Sequence, residues 1–244
     1  MEVHHHPHTE RKKWTHYLWE FLMLFLAVFC GFLAEYQLEH KIEKDREKQF
    51  IQTMVEDLKS DTAQLAEIIS YEYRREIMVD SLVELLSLSD HKKFGNDIYF
   101  YARSLTRPRY FFPNDRTLQQ LKNSGGLRMI RNLSASDSIM YYDQQLRSLM
   151  FVYEDERLIR ESFRDITGSV FDGKVMYTMF APLVFNRPNG NPSLFIEDRE
   201  SINKVISSAQ YLKSVISAIR LRQENLHLIA RHLIGFLQKE YHLK

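Results

Sequence analysis

The run from Val205 to Leu237, VISSAQYLKSVISAIRLRQENLHLIARHLIGFL, decides the fold class. Val205, Ala209, Leu212, Ile216, Ile219, Gln223, Leu226, Ala230, Leu233 and Leu237 follow one another at alternating steps of four and three. Heptad spacing of this kind lines one stripe of an α-helix. No proline interrupts the run, and its glycine, Gly235, falls near the end. The spacing predicts a helix of about 40 residues, ~60 Å long. Gln223 is the polar member of the stripe, and such a residue can fix register or oligomeric state.

A second stripe lies toward the N-terminus, at Ile51, Val55, Leu58, Thr62, Leu65 and Ile69. It slips around Tyr71–Glu76 and resumes at Met78, Leu82 and Leu85, predicting a first helix that ends near Leu88, before Ser89-Asp90-His91. Between the two, Asp97–Thr106 reads as a short aromatic helix stopped by Arg107-Pro108. Asn114 or Asp115 is placed to cap a helix through Lys122, which Gly125-Gly126 ends. Ser134 or Ser136 is placed to cap a long helix reaching about Ile166, with Ile139, Tyr142, Leu146, Leu149, Tyr153, Leu158 and Phe163 facing inward. The stretch Asn186-Arg-Pro-Asn-Gly-Asn-Pro192 is a turn cluster. The expectation is an all-α protein whose long, coiled-coil-like helices form an elongated antiparallel bundle, with the aromatic run Arg107-Pro-Arg-Tyr-Phe-Phe-Pro113 capping its end and a binding groove as the alternative reading of that run.

In front of that domain stands YLWEFLMLFLAVFCGFLAEYQL, Tyr17–Leu38. About 20 residues of apolar helix cover the ~30 Å of a bilayer's hydrocarbon, so the segment suffices for one crossing. No second run of that length follows. Trp14, Trp19 and Tyr36 supply interfacial aromatics, and Glu20 and Glu35 sit where a carboxylate reaches the headgroups. Arg11, Lys12 and Lys13 precede the span, whereas the lysines and arginines after it alternate with acids. The basic flank predicts the N-terminus inside and the domain outside. Bulky Phe32 at the −3 position of a cut after Ala34 argues against cleavage. The organisation expected is a His-rich basic cytoplasmic tail over 1–16, a transmembrane helix over 17–38 and an extracytoplasmic helical domain over 39–244.

Composition narrows the functions. Of 244 residues, 33 are Lys or Arg and 32 Asp or Glu, so no excess of positive charge exists to hold nucleic acid. Only 8 Gly and 6 Pro occur, which suits long helices over a turn-rich β architecture. The single cysteine, Cys30, permits neither an intramolecular disulfide nor a cysteine zinc site.

Two stretches carry a resemblance. Met1-Glu-Val-His-His-His-Pro-His8 followed by WEFLMLFLAVFCGFLAE, and Thr117-Leu-Gln-Gln-Leu-Lys-Asn-Ser-Gly-Gly-Leu-Arg-Met-Ile-Arg-Asn132 with Tyr141-Tyr142 beyond, resemble single-span inner-membrane proteins of Bacteroidota-type bacteria that carry a domain of unknown function. The resemblance covers about a quarter of the chain, and implies a bacterial inner-membrane location with the C-terminal domain periplasmic. It implies no catalytic residue.

Candidate chemistry is sparse. His4, His5, His6 and His8 form a ligand set for a divalent metal, with a solvated tail as the plainer reading. His227, Arg231 and His232 lie on the last helix without an H-E-x-x-H pattern. Acid pairs such as Asp155–Glu156 read as a solvated helix face. No G-x-S-x-G, G-x-G-x-x-G or P-loop occurs. The sequence therefore predicts a non-enzymatic, cofactor-free, membrane-anchored scaffold that self-associates or docks to an envelope complex. Its interaction seam would be Ile51, Val55, Leu58, Leu65, Ile69, Val205, Leu212, Ile216, Ile219, Gln223, Leu226, Leu233 and Leu237. A ligand-sensing domain acting through a partner, and metal binding by the tail, are the alternatives.

Overall fold

The computed structural model describes residues 14–123, 125–182 and 184–243. Among them the α-helices are α1 (Trp14–Ser87), α2 (Gly95–Leu105), α3 (Arg116–Asn123), α4 (Leu133–Val170), α5 (Gly173–Thr178) and α6 (Arg199–Glu240). Short 3-10 turns occupy His91–Phe94 and Gly126–Met129, and no strand occurs among the described residues beyond an isolated bridge between Phe180 and Phe185. The chain divides into two compact units, Met1–Gln49 and Phe50–Lys244.

In the first unit, α1 is long and apolar enough to cross a membrane, with an 18-residue window of mean hydropathy 2.0 that is nowhere buried. Phe21, Phe25 and Phe29 stack along it four residues apart, with ring centroids at 6.3 and 5.8 Å. A helix apolar on every side suits lipid better than water.

The second unit is built on one hydrophobic core. On α6 every residue of the predicted stripe, Val205 to Leu237, is buried. In the second unit the buried positions of α1 are Ile51, Met54, Leu58, Asp61, Leu65, Ile68, Glu72, Arg75, Val79, Leu82 and Leu86, with Val55 and Asp57 beside them. Two corrections follow. Thr62 and Ile69 are half-buried, because Asp61 and Ile68 take their places. The slip expected at Tyr71–Glu76 does not exist: the four-three rhythm continues through Glu72 and Arg75. On α4 the rhythm likewise runs from Tyr153 through Glu156 and Arg160 to Phe163, and Leu158 points outward.

Cross-helix hydrogen bonds fix the directions. Asp61 meets Tyr142 and Arg75 meets Glu156, so α1 and α4 run the same way. Glu76 meets Arg220 and Asp80 meets Lys213, so α6 runs against them. α6 is thus antiparallel to α1 and α4, which are parallel to each other. The connection that returns the chain between α1 and α4 is α2, an extended strap at 106–115, and α3.

That strap is a further correction, since it does not cap an end of the domain. It descends along α1: Tyr71 Oη donates to the Arg107 carbonyl (2.5 Å), Phe112 N–H to Gln64 Oε1 (2.9 Å) and Asn114 N–H to Asp61 Oδ1 (2.7 Å). Pro108 and Pro113 forbid a helix here, so the backbone donors must find side-chain acceptors.

Caps differ in detail from expectation. Asn132, rather than Ser134 or Ser136, caps α4 by accepting from Ala135 N–H (3.1 Å). Asp198 caps α6 through Ser201 N–H (2.9 Å). The turn cluster docks on the start of α2, where Asn96 and Asn191 exchange backbone-to-side-chain bonds of 3.2 and 2.9 Å. Glycine is required at position 95, since a Cβ there would stand 2.3 Å from the Pro192 carbonyl oxygen.

Candidate functional site

Glu72 and Arg75 of α1, Glu156 and Arg160 of α4 and Gln223 of α6, polar residues that interrupt the three seams, meet at one level of the core. Arg75 Nη1 donates to Glu72 Oε2 (2.8 Å) and Arg75 Nη2 to Glu156 Oε1 (2.8 Å). Arg160 Nε reaches Glu156 Oε2 (3.2 Å), and Arg160 Nη2 reaches Tyr110 Oη (3.0 Å), which itself donates to Glu156 (3.0 Å). From α6, Gln223 Nε2 donates to Tyr153 Oη (3.0 Å), which also accepts from Phe111 N–H of the strap (3.1 Å). Two carboxylates face two guanidiniums, so the set is neutral when all four are ionised. Arg75 and Glu72 are each 1% exposed, and Glu156 and Gln223 are fully buried.

Burial raises the Glu72 pKa above the usual carboxylate range even though Arg75 opposes it. Burial also pushes the Tyr153 hydroxyl up to about 12, so it stays protonated. Arg75 stays charged, because the attraction of Glu72 and Glu156 outweighs its own desolvation. Two atoms of the layer, Arg75 Nε and Gln223 Oε1, are buried with no protein partner. Glu72, Arg75, Glu156 and Arg160 are buried in the core, and charges buried in pairs of this kind can fix which helix faces meet. The assignment of Glu156 to a solvated face is therefore corrected.

A second polar cluster lies near the start of α3. Thr117 N–H and Oγ1 both donate to Asp57 Oδ2 (3.2 and 2.5 Å), and Arg116 Nε donates to Asp57 Oδ1 (3.0 Å). An aspartate of α1 thereby satisfies one of the free N–H groups at the N-terminus of α3. Asp61 accepts from Asn114 N–H and from Tyr142 Oη (2.6 Å). Desolvation raises the Asp61 pKa despite those two donors.

The other predicted residues are scattered. Trp14, Trp19, Glu20, Glu35 and Tyr36 are exposed on α1 in the first unit, with His16 Nε2 3.0 Å from Glu20. His4, His5, His6 and His8 lie outside the described residues. Among the described residues no group of three or more His, Cys, Asp or Glu side chains is arranged to hold a metal. His227 and Arg231 line a hollow with Thr62, and His232 lines a separate one with Asp137. Desolvation, then the Arg231 charge, lowers the His227 pKa. The expected interaction seam is occupied inside the chain: Ile51, Leu58, Leu65, Val205, Leu212, Ile216 and Gln223 are fully buried.

Sequence reading missed the polar layer, although a signal existed. Extending the four-three rhythm through charged positions lands on Glu72, Arg75, Glu156 and Arg160. Comparison of the chain with protein-family models, with curated proteins and with solved structures finds no match.

Proposed function

We propose that the chain is a non-enzymatic helical interaction protein, anchored by one span in a bacterial inner membrane with its domain in the periplasm. The domain is read as a bundle of coiled-coil-like helices in which α2, the strap and α3 stand in for a fourth member. Its seams are closed against each other, so docking or self-association must use the outer faces. One observation carries the reading. Phe151 and Leu158 on α4, and Leu221 and Leu228 on α6, are at least half exposed, each pair seven residues apart on the side opposite its seam. Large apolar side chains repeated on a solvent face favour contact with another protein over water.

Photo-crosslinkers placed at Phe151 and Leu221 in native membranes test this. A ladder of one species supports self-association, and one recurring foreign band supports docking. A chain that stays uncrosslinked at both positions removes the reading. Orientation is tested separately with a C-terminal alkaline phosphatase fusion, active only if that end leaves the cytoplasm.

A further inference from the structure

A hollow of about 360 Å³ opens where the strap crosses α1 and α2, lined among others by Tyr71, Phe100, Arg107, Arg109, Val184 and Phe185. Its floor is apolar and aromatic, and its rim is cationic. The segment after α5 folds Phe185 into place through the Phe180–Phe185 bridge and the Asn186 N–H bond to the Met179 carbonyl (2.9 Å). Arginines lie on these rings: Arg103 is 4.8 Å and Arg107 5.4 Å from the Phe185 centroid, and Arg109 is 4.5 Å from that of Tyr71. Stacking holds a guanidinium flat against a ring and leaves its N–H edges free for an acceptor.

The nearby carboxylates are all engaged elsewhere. Glu72 pairs with Arg75, Glu76 with Arg220, Asp80 with Lys213 and Asp97 with Arg187. No ion pair among the described residues involves Arg103, Arg107 or Arg109. Arg107 spends one donor on the Pro182 carbonyl (3.2 Å), and the Tyr71 hydroxyl is taken by the strap. Uncompensated positive charge thus stands over an apolar pocket of small-molecule size.

We propose that this hollow binds a small organic carboxylate with an aryl or short acyl body, its carboxylate on Arg107 and Arg109 and its apolar part against Phe100, Val184 and Phe185. Paired arginines suit the two oxygens of a carboxylate. The proposal goes beyond the docking reading, and failure of the crosslinking leaves it untouched.

The test titrates the full chain in lipid nanodiscs with 4-phenylbutyrate by calorimetry, after subtraction of empty nanodiscs. Saturable binding tighter than about 1 mM is expected. 4-Phenylbutanol and 4-phenylbutylamine should bind at least about tenfold more weakly, as should inorganic phosphate. The exposed side chains make Arg107→Gln with Arg109→Gln a mild change; it should weaken the acid about tenfold and leave the alcohol unaffected. Arg222→Gln, on the outside of α6, should change nothing. Equal binding of acid and alcohol, phosphate as tight as the acid, unweakened binding by the double variant, or no saturable binding overturns the proposal.

Discussion

Two clusters of buried carboxylates hold the second unit together, and they do so in different currencies. Deep in the core, Arg75 pairs with Glu72 on its own helix and with Glu156 on the facing helix, and Arg160 adds a second guanidinium beside Glu156. Asp57 and Asp61 instead accept from backbone N–H groups of the strap and α3 and from the hydroxyls of Thr117 and Tyr142, with Arg116, two-thirds exposed, as the cation at hand. The first arrangement matches helix to helix at a set register. The second ties an irregular connection down to a regular helix. Charge against charge is exacting in geometry, and its loss strands a partner in low dielectric; charge against backbone tolerates more movement, because a freed N–H near the surface can turn to water.

Breaking the first cluster should have the largest effect. Arg75→Met leaves Glu72 and Glu156 short of a cation and should cost about 3–5 kcal/mol, read as a drop in the urea midpoint. Replacing Glu72, Arg75, Glu156 and Arg160 together by methionine should recover most of that stability. If the quadruple variant is less stable than the single one, the layer contributes energy and not only register. Gly95→Ala, which drives a methyl into the Pro192 carbonyl, should cost about 1–3 kcal/mol in the same assay. In the second cluster, Asp61→Asn keeps the shape but weakens the acceptor for Asn114 and Tyr142, and should cost about 1–2 kcal/mol. Arg116→Ala should cost less than about 1 kcal/mol, since its partner retains Thr117. The smallest change belongs to Leu158→Ala, within about 0.5 kcal/mol of the parent, because the side chain faces solvent.

The contrast also explains what could be read from the sequence. The last helix was legible because its seam is apolar at every place but Gln223. On α1 the apolar residues form two adjacent stripes, so Val55 and Met54 competed and half the register was assigned to Thr62 and Ile69. Where the seam passes through Glu72, Arg75, Glu156 and Arg160, charge imitates a solvated face. Only a partner helix at the matching height reveals that the charges cancel, and that pairing is not a local property. The strap was recognisable as non-helical from Pro108 and Pro113, but its destination was not, since Asp61, Gln64 and Tyr153 receive it from more than 40 residues away. Of the candidate ligand site, the arginines and aromatics of 107–113 stood out, whereas Phe185 was silent until the chain folded back.

The strap has a consequence for how the domain breathes. Amides within α4 and α6 belong to ladders in which neighbours must open together. Those of Phe111, Phe112 and Asn114 each hang on a separate side chain, Tyr153, Gln64 and Asp61. Each can therefore trade its proton for deuterium through an opening of its own, without unfolding any helix. The strap should emerge in hydrogen exchange as a graded series, Phe112 fastest at the exposed side and Phe111 slowest beneath it, set inside a domain whose helical amides exchange as blocks.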